Sequence, residues 1–114
     1  MNVEWVRKLC MSLPHTTESV QWGANLVFKI GGRIYAVVAL EPAGHWISFK
    51  CSTDDFADLV EREGVVPAPY FARAEWVALE TEDAIPTAEL KRLLRNAYAL
   101  VFAKLTKKAQ REIS

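Results

Sequence analysis

The chain has 114 residues, half of them hydrophobic and a quarter charged, with a formal net charge of zero. That size suits one domain over residues 1–114, and roughly two-thirds of the unfolded surface can be buried at this length. The composition excludes intrinsic disorder, and zero net charge excludes global electrostatic steering toward nucleic acid.

The charge is unevenly spread. Residues 1–52 carry +2, residues 53–90 carry −8 and residues 91–114 carry +6. The N-terminal apolar stretch is broken by Arg7 and Lys8, so it lacks the apolar core of a signal peptide. No apolar run approaches the roughly 18 residues of a membrane span. A cytoplasmic protein is the expectation.

In chain order, Trp5 or Val6, Leu9, Cys10 and Leu13 recur at helical spacing, which predicts a helix over residues 3–13 that Pro14 stops. Val20–Trp22 is a short candidate strand. Leu26–Ile30 and Ile34–Leu40 flank Gly31-Gly32, a hairpin signal. A two-residue loop would pair Ile30 with Arg33. A three-residue loop would pair Ile30 with Ile34 and gather Leu26, Phe28, Ile30, Ile34, Ala36, Val38 and Leu40 on one face. The second register sorts the side chains better and is the expected one. It places Lys29 and Tyr35 on the opposite face. After a turn at Pro42-Ala43-Gly44 comes a strand over Trp46–Cys51, with Trp46, Ser48 and Lys50 on the side away from the core.

Ser52 or Thr53 opens a second helix with Asp54 and Asp55 at its positive end, Phe56, Leu59 and Val60 as its apolar face, and Gly64 as C-cap. Two prolines rule out helix in VVPAPYFARAE. Trp76–Glu80 reads as a strand. A last helix runs from Pro86 or Thr87 to about Ala109, with Leu90, Leu94, Ala97, Val101 and Leu105 on one stripe. The order is αβββ(β)αβα. Short connections imply antiparallel pairing, and helices at both ends cover one side: an α+β layer fold.

Chemistry-bearing patterns are sparse. Cys10 and Cys51 lie in separate apolar patterns and read as free core thiols. No CxxC, GxSxG, phosphate-loop, dinucleotide or HExxH motif occurs. His15 and His45 fall in loops without an evident nucleophile or carboxylate partner, so no catalytic residue is assigned. Asp54, Asp55 and Asp58 suit a helix start and a solvated face better than a divalent metal. No metal and no cofactor are expected.

One constellation is basic and aromatic. Lys29 and Lys50 share the predicted open sheet face with Tyr35 and Trp46, Arg33 sits at the hairpin tip, and Tyr70 and Arg73 lie in the loop before the Trp76 strand. Cations pair with phosphates and rings stack on bases, so the set suits nucleic acid. The competing reading is a sheet covered on both faces, with the lysines at its rim. A different class of function would use Trp22, Trp46, His45 and the PAPYFAR loop to line an apolar pocket for a small molecule or peptide.

PHTTESVQWGANLVFKIGGRIYAVV, PAPYFARAEWVAL and the final AYALVFAKLTKK resemble the signature of the MmcQ/YjbR-like family over nearly the whole chain. Arg33 and Arg73 stand where lysine is frequent, and Ala97 stands where a serine is often found. The resemblance implies a twisted antiparallel sheet like that of frataxin. It also implies a "double wing" DNA-binding role that is not enzymatic, with Lys29, Arg33, Lys50, Tyr70 and Arg73 at favoured basic or aromatic positions. DNA is then the implied partner, with no membrane and a monomer as default. An iron-handling role by frataxin analogy would need an acidic first helix, and Glu4 is the only acid in residues 3–13.

Overall fold

The computed structural model describes residues 3–41, 43–69 and 74–113. Its elements are α1 (Val3–Met11), β1 (Thr17–Gln21), β2 (Asn25–Ile30), β3 (Arg33–Ala39), β4 (Ile47–Lys50), α2 (Thr53–Leu59), β5 (Val65–Pro67), β6 (Trp76–Leu79), α3 (Thr87–Ala103) and α4 (Lys107–Ile113). The six strands form one sheet in the order β1-β2-β3-β4-β6-β5, with every neighbouring pair antiparallel. The fold is the expected α+β arrangement.

One side of the sheet is covered by helices. Val6 and Cys10 of α1 and Leu90, Leu93, Leu94, Ala97 and Val101 of α3 pack on Leu26, Phe28, Ile30, Ala36, Val38, Ile47 and Phe49. The stripe read from the last helix is thus the stripe that is buried. Ser52 caps α2, its hydroxyl accepting from the Asp55 amide at 3.1 Å. That replaces one of the helix's orphan N–H partners.

The hairpin register is a compromise between the two alternatives. Ile30 pairs with Arg33 across the two-residue Gly31-Gly32 turn, yet Phe28 pairs with Ala36 and Leu26 with Val38. The shift falls between Phe28 and Lys29, leaving Tyr35 as an extra residue. A bulge of this kind turns two successive side chains to one side. Tyr35 and Ala36 accordingly both enter the helix-side core, while Ile34 joins Trp76, Ala78, Val66 and Val37 on the other face. This corrects three expectations: Tyr35 is not on the open face, Ile34 is not on the core face, and the register is not uniform.

Inside, the Tyr35 hydroxyl donates to the Cys10 carbonyl at 3.4 Å and shares a 3.0 Å hydrogen bond with Thr16, while its ring meets Tyr98 edge-on at 5.6 Å. Burial raises the pKa of this phenol and pushes the Cys10 thiol up to about 12. Both groups stay neutral, as a packed core requires. Cys51 is likewise a buried free thiol pushed up to about 12.

Other boundaries move. Helix α1 ends at Met11, and Trp46 packs against the helix-side core with its Nε1 donating to the Thr81 carbonyl at 2.8 Å. Leu40 is exposed. Helix α2 is capped at Val60, and Gly64, at φ +84°, instead turns the chain into β5. That strand was not anticipated. Pro67 belongs to it because β5 is an edge strand, where a missing N–H costs no ladder bond. The last helix breaks at Lys104–Thr106. There Thr106 starts α4, and Gln110 donates to the Phe102 and Leu105 carbonyls. The break brings Leu105 and Ile113 to the hairpin tip: a Cβ on Gly31 would lie 2.7 Å from Leu105 Cδ1 and 3.3 Å from Ile113 Cδ1.

Candidate ligand-binding cleft

The sheet face opposite the helices carries a cleft of about 600 Å³. Its floor comes from strand alternation: Val37 and Ala39 of β3, Ser48 of β4 and Asn25 of β2 all point away from the helices. Asn25 pairs with Ala39, and Val37 with Ser48. Trp22, Ala43, His45 and Pro69 complete the lining from three loops.

Trp22 is held by an unusual turn. The β1–β2 connection puts Trp22 at φ +51° and Gly23 at φ +82°. Left-handed backbone suits glycine but costs a residue with a Cβ about 1–2 kcal/mol. Asn25 secures the turn by donating Nδ2 to the Trp22 carbonyl at 3.1 Å. The outcome is an indole 58 % exposed at the cleft's edge.

Ser48 is the polar feature of the floor. The residue is only 6 % exposed, and its hydroxyl has no hydrogen-bond partner among the described residues. The Asn25 side-chain oxygen has no donor among the described residues, and His45 adds ring nitrogens. Among the described residues no Asp, Glu, Lys or Arg lines the cleft. Its chemistry is therefore apolar contact plus a few neutral hydrogen-bonding groups.

Of the basic residues singled out from sequence, Arg33 and Lys50 line one small concavity together, and Lys29 is not part of it. Arg33 is exposed at the hairpin end of β3, and Lys29 is half-buried on β2. Lys50 is buried: its ammonium donates to the Ala74 carbonyl and lies 3.9 Å from Glu75 Oε1. Burial lowers its pKa first, and the Lys104 charge adds to that. Tyr70 and Arg73 lie outside the described residues. His15 is exposed at φ +60°. Asp55 and Asp58 engage Arg92 and Arg62 respectively. Among the described residues no group of three or more His, Cys, Asp or Glu is placed to hold a metal ion, and no helix is long and apolar enough to cross a membrane.

From sequence, Trp22, His45 and the loop containing Pro69 were legible as pocket material, whereas Trp46 was wrongly included. Ser48 was placed on the correct face but not recognised as a cleft residue. The only signal was its position, a small polar residue between apolar neighbours on a central strand.

Fold and cleft together define a two-layer α+β protein with one sheet face packed by helices and the other hollowed by loops. The chain belongs to the YjbR family, whose model matches residues 11–100. Among solved structures it is similar to the Deinococcus radiodurans protein DR2400, described as a DUF419 domain, at 28% identity and a TM-score of 0.88, covering 98% of this chain and 87% of that one. A Pseudomonas syringae protein shares the fold at 16% identity and a TM-score of 0.70, covering 88% of this chain and 98% of that one. A search of curated proteins gives no match.

Proposed function

We propose that this protein is a binding module for a neutral, largely aromatic small molecule held in the cleft between Trp22 and the β3–β4 floor. The observation that carries this reading is the Ser48 hydroxyl, without a hydrogen-bond partner among the described residues, in the same cleft lining as the exposed Trp22 indole. Ligand sites combine a mostly apolar concavity of several hundred Å³ with a few convergent polar groups. Here Trp22, Val37, Ala39 and Pro69 supply contact area, while Ser48, Asn25 and His45 fix orientation. The lining is uncharged among the described residues, which disfavours ionic ligands, because an unpaired charge placed there loses its hydration without compensation. No step of chemistry is required of these groups.

The test is a screen of neutral heteroaromatic fragments by ligand-observed NMR and thermal shift. A fragment that binds only the native state raises the melting temperature. Hits should lose about tenfold in affinity on Trp22→Ala and about three- to tenfold on Ser48→Ala, the worth of one neutral hydrogen bond. Trp22→Ala should leave stability within about 0.5 kcal/mol, since the indole is exposed. A screen without hits, or hits indifferent to both substitutions, overturns the reading.

A second reading, nucleic-acid binding, draws support from exposed Arg33 at the hairpin end and from Lys29 on the same strand pair. Contacts of this kind give affinity that is independent of sequence and falls with salt. Lys50 is buried and would reach a backbone phosphate only from within a small cavity that it lines with Arg33 and Lys104. Absence of duplex binding at low salt, or binding unaffected by Arg33→Ala and Lys50→Ala, would remove this alternative.

A further inference from the structure

A second, smaller cavity of about 300 Å³ lies at the end of the sheet, where the hairpin, the end of β4, the start of β6 and the C-terminal end of α3 meet. Arg33, Lys50 and Lys104 line it together with Ile34, Trp76 and Val101. From these positions we infer an anion-binding site for a phosphoryl group, carried either by a small phosphorylated ligand or by a nucleic-acid backbone.

Three cations converge on one concavity. Neither Arg33 nor Lys104 has a carboxylate partner among the described residues, and the one acid near Lys50 is Glu75 at 3.9 Å. The site therefore holds an excess of positive charge that a dianion would neutralise. Lys50 is the centre of the arrangement. Its side chain is 8 % exposed, so its hydration is largely stripped, and among the described residues the Ala74 carbonyl is its one hydrogen-bond acceptor. An ammonium carries three N–H donors, which leaves donors unspent at the cavity wall. The nearby Lys104 charge depresses the Lys50 pKa further, and a bound oxyanion would reverse that effect. Arg33 adds a planar fork suited to bidentate phosphate contact. Sequence separation hides the site: residues 33, 50 and 104 come together only because α3 ends beside the hairpin.

This site is independent of the cleft and stands or falls separately. The probe is inorganic phosphate, titrated into the protein against sodium chloride at matched ionic strength and followed by amide and lysine Nζ resonances. The expected result is a saturable response centred on Arg33, Lys50 and Lys104, with the Lys50 pKa rising on saturation. Arg33→Ala with Lys104→Ala, both at exposed positions, should weaken binding at least tenfold and leave the melting temperature nearly unchanged. A response no different from chloride, or one unaltered in the double variant, overturns the site. Phenyl phosphate and a labelled DNA duplex then distinguish the source. Binding of the monoester without the duplex assigns a small ligand. Duplex affinity lost in the same variant assigns a nucleic-acid backbone.

Discussion

The two faces of this sheet are built from the same strands but do opposite things with their side chains. Toward the helices, Phe28, Ile30, Tyr35, Ala36 and Val38 are fully buried against α1 and α3. Away from them, Val37 and Ala39 remain partly open, Trp22 is exposed, and the floor includes a serine. The first face is filled by long helical side chains at regular spacing. The second is covered by loops, which cannot fill space as evenly because their backbone polar groups need water or partners of their own. A cleft forms on the side where the covering material is irregular.

Neighbouring residues on one strand pair should therefore differ sharply in energetic weight. Phe28→Ala, on the helix side, should cost about 3–5 kcal/mol in denaturant unfolding. Val37→Ala, on the cleft side, should cost about 1 kcal/mol, since its surroundings are already partly open. Equal losses would mean that the cleft face is packed as a second core, and the contrast would fail.

The bulge that separates the faces offers a finer probe. Tyr35→Phe removes a hydroxyl that Thr16 and the Cys10 carbonyl both use, leaving the buried Thr16 group short of a partner. The expected cost is about 1–3 kcal/mol, the penalty for an unsatisfied buried polar group. A neutral outcome would show that water replaces the hydroxyl, and that the bulge is held by ring packing alone.

The smallest effect belongs to the rim of the helix side. Arg62 forms a 2.6 Å ion pair with Glu89 at the start of α3. Hydrogen bonding from Arg62 is the main cause that holds the Glu89 carboxyl below its usual value of 4.5. A carboxylate depressed in this way contributes stability above the unfolded pKa and loses it as pH falls through the folded one. Glu89→Gln should cost less than about 1 kcal/mol at pH 7, because both side chains are partly exposed. It should also flatten the decline of stability below about pH 4.5. An unchanged acid limb would show the pair to be energetically silent.

Much of the architecture was legible because its signals are local. Gly31-Gly32 marks the hairpin because both residues take positive φ, at +59° and +81°. Ser52 starts α2 through its own hydroxyl, and the α3 stripe repeats at 3.6 residues per turn. The short edge strand β5 escaped notice because a proline-bearing segment reads as loop until a partner strand is supplied. The break after Ala103 left no proline or glycine to announce it. It is stabilised instead by Gln110 and by Leu105 and Ile113 reaching the hairpin.

The candidate sites divide along the same line. Trp22, His45 and Arg33 could be nominated from residue type, since exposed loops and turn tips are where such groups act. The roles of Ser48 and Lys50 could not be read that way. Alternation fixes the face on which a strand residue lies, but only the neighbours on that face decide whether it is open, sealed or paired.

By itself, the sequence determined the α+β class, the helical ends, the glycine hairpin and the apolar stripe of α3, because each follows from propensity and period within a few residues. Tertiary structure alone decided the bulge at Tyr35, the burial of Lys50, its convergence with Arg33 and Lys104, and the cleft above Ser48. These depend on contacts between residues far apart in the chain, where packing can outweigh the local preference of any one segment.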